Sequence, residues 1–101
     1  MIVLNFTTLV PWHVVDEWLL WQREEHIPEI LSTQLFDDYK LFRLMDAEDH
    51  EGPTFVIQYF TSTKDRYRRY LDEFALSLRQ KALARWRNQV IAYRTAMELV
   101  N

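Results

Sequence analysis

The chain has 101 residues, a net charge of −3 and 49% hydrophobic content, enough for one domain over residues 1–101 with its own core. It has no Cys, which excludes disulfides, thiolate nucleophiles and Cys-based metal sites, and a single Gly, which excludes Gly-rich phosphate loops and dinucleotide fingerprints. No basic leader or long apolar stretch is present, so the expectation is a cytoplasmic protein with no membrane partner.

Residues 2–9 are apolar and β-branched and predict a first strand, stopped by Pro11. From Trp12 to about Thr33 the period becomes helical, with Val15, Trp18, Leu19, Gln22, His26 and Ile30 on one face. Pro28 lies inside this segment and frees a carbonyl near Glu24, so a kink or break is expected at residues 25–28. Phe36 to Asp46 alternates as a second strand. The acidic turn 46–53 holds the only Gly, and Thr54 to Thr61 is a third strand that forms a hairpin with the second. A second helix is expected from residue 62 or 63 to 87, on Tyr67, Tyr70, Leu71, Phe74, Leu78 and Leu83, and a final strand from Val90 to Val100.

The order βαββαβ predicts a ferredoxin-like α+β sandwich, a four-stranded antiparallel sheet with both helices on one face. Period two sorts the strands into two sets. Ile2, Leu4, Phe6, Phe42, Leu44, Phe55, Ile57, Tyr59, Ile91, Tyr93, Met97 and Leu99 are expected to face the helices. The opposite set includes Val3, Asn5, Thr7, Tyr39, Leu41, Arg43, Met45, Val56, Gln58, Phe60, Ala92, Arg94, Ala96 and Glu98. About half of it is apolar, too much to leave in water on a monomer, and a second copy related by a two-fold axis is the economical cover. The expected interface residues are Val3, Leu41, Val56, Phe60 and Ala92.

This pattern looks like a dimeric α/β barrel. More narrowly, the stretches Glu17-Trp18-Leu19-Leu20-Trp21, Glu24-Glu25-His26-Ile27-Pro28-Glu29-Ile30-Leu31, Tyr39-Lys40-Leu41-Phe42-Arg43-Leu44, Gln58-Tyr59-Phe60 and Tyr93-Arg94-Thr95 resemble a family of short bacterial proteins defined only as a domain of unknown function, DUF4286. The resemblance implies the fold and a homodimer, and no activity. Some dimeric α/β barrels degrade heme with an axial His on the second helix. Residues 62–87 contain no His, so no heme or other cofactor is expected, and no metal.

Charge is unevenly placed. Residues 63–88 hold eight basic side chains against three acidic ones, so the rest carries about −8. The expectation is a solvated helix face balancing an acidic first half. With net negative charge, and with Phe6, Phe55 and Tyr59 assigned to the helix side, no nucleic-acid partner is expected.

Two constellations remain. Asn5, Arg43, Gln58, Arg94 and Glu98, with Thr7, are expected in the space between paired sheets. There they either pair with one another across the dimer or orient a small aromatic or anionic molecule. His26, beside Pro28 and between Glu25 and Glu29, is either a structural hydrogen bonder or a catalytic group. The expected function is a non-catalytic small-molecule-binding or self-association module. The alternative is a cofactor-independent oxygenase or isomerase, with His26 moving the proton.

Overall fold

A computed structural model describes residues 1–101. The strands are β1 (Ile2–Leu9), β2 (Asp38–Arg43), β3 (Thr54–Thr61) and β4 (Ile91–Glu98), in the sheet order β2-β3-β1-β4. All three pairings are antiparallel, as the ferredoxin-like order requires. Edge strands β2 and β4 are shorter at their ends than their alternation suggests. Leu44 still donates its N–H to the Thr54 carbonyl at 2.8 Å, and Leu99 to that of Met1 at 2.8 Å.

Each helical segment is an arm in two parts joined by a π-turn. The first arm begins with a 3-10 turn (Trp12–Val14) and continues as α1 (Val15–Trp21), a π-turn (Gln22–His26) and α2 (Ile27–Ser32). The kink expected at Pro28 thus takes the form of a widened turn. Pro28 has no N–H to offer, and the Ile27 N–H bonds back to Gln22, five residues away. The second arm is α3 (Lys64–Tyr70), a π-turn (Leu71–Ala75) and α4 (Leu76–Trp86). It was expected as one uninterrupted helix, and it contains no Pro or Gly to signal the break. Thr63 caps it, its hydroxyl accepting from the Arg66 N–H at 3.2 Å.

The two π-turns have the same effect on packing. Buried positions run Trp18, Gln22, Ile27, Ile30 on the first arm and Tyr70, Ala75, Leu78, Trp86 on the second. In both arms the inward step across the π-turn is five residues, so the extra residue resets the buried stripe. His26, expected inward, is half-buried, and Ile27 takes the core position.

The core lies between the arms and the central strands. Leu4, Phe55, Ile57 and Tyr59 meet Trp18, Ile27, Ile30, Tyr70, Leu78 and Trp86. Trp18 stacks on Phe55 at 5.2 Å, and Phe36 meets Tyr70 edge-on at 4.9 Å. The connection after β2 folds back over the end of β1. Val10 donates to the Pro53 carbonyl and Trp12 to that of Glu51, both at 3.0 Å. Gly52 sits in this seam because a Cβ there would overlap the Val10 carbonyl.

The face assignment is right for β1 and β3 and inverted for β2 and β4. Directly opposed residues share a face, and Tyr39, Leu41 and Arg43 oppose Tyr59, Ile57 and Phe55. Ala92, Arg94, Ala96 and Glu98 oppose Thr8, Phe6, Leu4 and Ile2. All of these lie on the helix side. Phe42, Ile91, Tyr93 and Met97, expected against the helices, lie on the free face. Met45 belongs to neither, being 81% exposed in the connection after β2.

The charge imbalance resolves largely within the chain. Lys81 pairs with Glu29 at 2.7 Å, Lys64 with Glu98 at 2.6 Å, Arg66 with Asp37 at 3.1 Å and Arg85 with Glu17 at 3.5 Å. No helix is long and apolar enough to cross a membrane.

Candidate functional site

Register sets the free face of the sheet in rows running from β4 to β2. The outer row is Met97, Val3, Phe60, Asp38; the middle row is Thr95, Asn5, Gln58, Lys40; the next is Tyr93, Thr7, Val56, Phe42. A polar row therefore crosses the whole sheet between two largely apolar ones. Asn5 and Gln58 are direct cross-strand partners, and Asn5 Nδ2 donates to Thr7 Oγ1 at 3.2 Å. That bond fixes the amide's orientation and leaves its carbonyl oxygen directed away from Thr7. The neighbouring apolar side chains are open. Phe42 is 45% exposed, Tyr93 66% and Met97 44%.

Of the five residues expected to orient a ligand, this face brings together Asn5 and Gln58. Arg43 instead holds Asp49 at 2.8 Å and lies over the Trp12 ring, tying down the β2–β3 connection. Glu98 bonds Lys64 on α3, and this hydrogen bond and charge hold its carboxyl below the usual carboxylate range. Arg94 lies beside Phe6 on the helix side. Of the expected interface residues, Val3, Val56 and Phe60 are on the free face, while Leu41 and Ala92 are not. Residues missed from sequence are Phe42, Tyr93, Thr95 and Met97, all on edge strands.

His26 lies across the sheet from Asn5 and Gln58, in the π-turn of the first arm. Its ring stacks on Trp21 at 4.5 Å with 17° between planes. Burial lowers its pKa to about 4, with Glu29 pulling it up and Lys81 pushing it down. His26 is therefore neutral at physiological pH. The same helix–sheet layer holds three buried polar atoms with no protein partner: Gln22 Oε1, Tyr59 Oη and Trp86 Nε1. Burial, with Tyr70 and Tyr39 beside it, pushes the Tyr59 hydroxyl far up. Leaving such atoms unpaired costs stability, about 1–3 kcal/mol each.

Several solved structures share the fold. SnoaB, a cofactor-independent oxygenase from Streptomyces nogalater, aligns over 99% of this chain and 93% of its own at TM-score 0.68 and 13% identity. An antibiotic biosynthesis monooxygenase aligns over 100% of both chains at TM-score 0.64 and 17% identity. A dimeric ferredoxin-like protein from an uncultured marine organism aligns over 99% of this chain and 96% of its own at TM-score 0.64 and 9% identity. At these identities the likeness is one of fold. No curated protein matches the chain. Residues 1–100 match the family model described as Domain of unknown function (DUF4286), and the chain belongs to that family.

Proposed function

We propose that the protein is a non-catalytic module that self-associates through the free face of its sheet and holds a small polar molecule along the row between the paired sheets. The observation that supports this reading most is the arrangement of that face, a continuous polar row flanked by open apolar ones. Burying a large apolar side chain contributes roughly 1.5–3 kcal/mol. Val3, Phe42, Val56, Phe60, Tyr93 and Met97, covered together, offset the roughly 4–15 kcal/mol of freedom lost on association. Asn5, Gln58 and Thr95 would then line a band with hydrogen-bonding groups facing their copies across the two-fold axis. The dimeric state named for one structural neighbour accords with this reading.

Native mass spectrometry of protein purified without added ligand tests both halves. A dimer carrying a small extra mass supports the whole proposal, and an empty dimer supports self-association alone. A monomer overturns it.

A second reading, a cofactor-independent oxygenase or isomerase acting on a small aromatic or anionic molecule, draws on the neutral His26 ring stacked on Trp21. It does not draw on Asn5 and Gln58, which the sheet separates from His26. Oxygen uptake with 1-naphthol as probe, abolished in His26→Phe, would favour it. Uptake indifferent to His26 would count against it.

A further inference from the structure

The second arm does not cover β4. All eight residues of that strand are exposed, whereas Ile2 and Leu4 on the helix side of the adjacent β1 are buried. Between the arm and the strand lies a cleft of about 250 Å³, floored by Ile2 and Ala96 and walled by Tyr67 and Leu71. Lys64, Arg68 and Glu98 stand at its rim. Ala96 gives the cleft its depth, because it occupies the end of the row Leu4, Tyr59, Tyr39 with a single methyl.

The charge over this apolar floor is unbalanced. Lys64 is occupied by Glu98 at 2.6 Å. Arg68, which lines the cleft, makes no ion pair, although most basic side chains of the second arm do. In the row of the floor, Tyr59 Oη is fully buried and has no partner in the protein.

We propose that this cleft binds a small carboxylic acid with an apolar body, the chain or ring lying on Ile2, Ala96, Tyr67 and Leu71 and the carboxylate meeting Arg68 at the rim. Its volume falls below the roughly 300–1,000 Å³ of drug-sized pockets, which selects a small ligand. The Glu98 carboxylate at the rim disfavours a doubly charged headgroup, and an unpaired guanidinium suits a carboxylate. Met97, at the edge of the cleft, also stands on the proposed self-association face, whereas Ile2, Tyr67, Arg68, Leu71 and Ala96 lie on the helix side, so the apolar floor and its cation stand without that face.

Octanoate is a suitable probe, titrated into the full chain and followed by backbone amide shifts. The expected result is saturable shifts at Ile2, Tyr67, Leu71 and Ala96, with octanol binding at least about tenfold more weakly. Arg68→Gln should lose about tenfold in affinity for octanoate and keep the assembly state of the parent. Ala96→Leu, which fills the floor of an exposed edge strand, should block octanoate while leaving the fold intact. Shifts confined to Asn5, Gln58 and Thr95, equal binding of octanol, or no saturation at millimolar octanoate would each overturn the proposal.

Discussion

The two faces of the sheet are built from similar residues and meet opposite fates. On the helix side of the central strands stand Leu4, Phe55, Ile57 and Tyr59, all buried. On the free side stand Val3, Val56 and Phe60, joined by Phe42, Tyr93 and Met97 from the edges, and the last three are 44–66% exposed. Apolar content alone does not separate these sets. What separates them is that two helical arms, each reset by a π-turn, seal the central strands on one side with Trp18, Ile27, Ile30, Tyr70 and Trp86. The other face carries the same kind of surface interrupted by a polar row, and the proposed self-association rests on that difference.

The contrast is broken most severely from the sealed side. Tyr59→Ala removes a ring that contacts Phe6, Phe36 and Tyr39, and it should cost about 3–5 kcal/mol. Urea unfolding measures it, and a loss below about 1 kcal/mol would mean that this face is not the core.

Next in size is a pH effect from the helix layer. His26 titrates near 4 in the folded chain and near 6.5 unfolded. Below 6.5 the unfolded chain takes up a proton that the folded chain refuses. The stability from the neutral ring is therefore whole above pH 6.5 and lost as pH falls toward 4, by at most roughly 3 kcal/mol. His26→Phe keeps a ring against Trp21 and should flatten this part of the pH–stability curve. An unchanged curve in the variant would assign the slope to the carboxylates instead.

The free side should answer in assembly rather than in folding. Val56→Asp places a charge between Thr7 and Phe42 in the apolar row. A protein that falls to monomer mass, with monomer stability changed by less than about 1 kcal/mol, is the expected outcome. Val56→Asp that stays at the parent's mass would exclude this face as the interface.

The sequence made the central half of this contrast legible and the peripheral half not. On β1 and β3 one alternating set is apolar except for Thr8 and Thr61 at its ends, Ile2, Leu4, Phe6 and Phe55, Ile57, Tyr59, while the other has Asn5, Thr7 and Gln58 in its middle, so inside and outside are distinct. On β2, Tyr39 and Leu41 compete with Phe42 and Leu44. On β4, the large residues Ile91, Tyr93 and Met97 outweigh Ala92 and Ala96, and this points the wrong way. Edge strands lie partly beyond the arms, so side-chain size there does not report burial, and a one-residue phase error turns every side chain over. That error carried Arg43, Arg94 and Glu98 onto the free face in the sequence reading, and it hid Thr95 and Tyr93. The first π-turn was foreshadowed by Pro28. The second has no sequence signal, and it is visible only as the five-residue step from Tyr70 to Ala75.

The smallest expected effect is the most discriminating for the polar row. Gln58 is partly exposed and makes no hydrogen bond with its own side chain to the rest of the protein, so Gln58→Leu should change folding stability by only about 0.5 kcal/mol. In an empty dimer whose polar row meets only water, the added apolar surface should leave the assembly unchanged and tighten association, because no protein group loses a partner. In a dimer that holds a polar molecule there, the same substitution removes an amide from its contacts, and the extra mass seen in the parent should disappear while the dimer persists. Native mass spectra of parent and variant side by side separate the two, and unfolding of the variant would return Gln58 to the structure of the sheet itself.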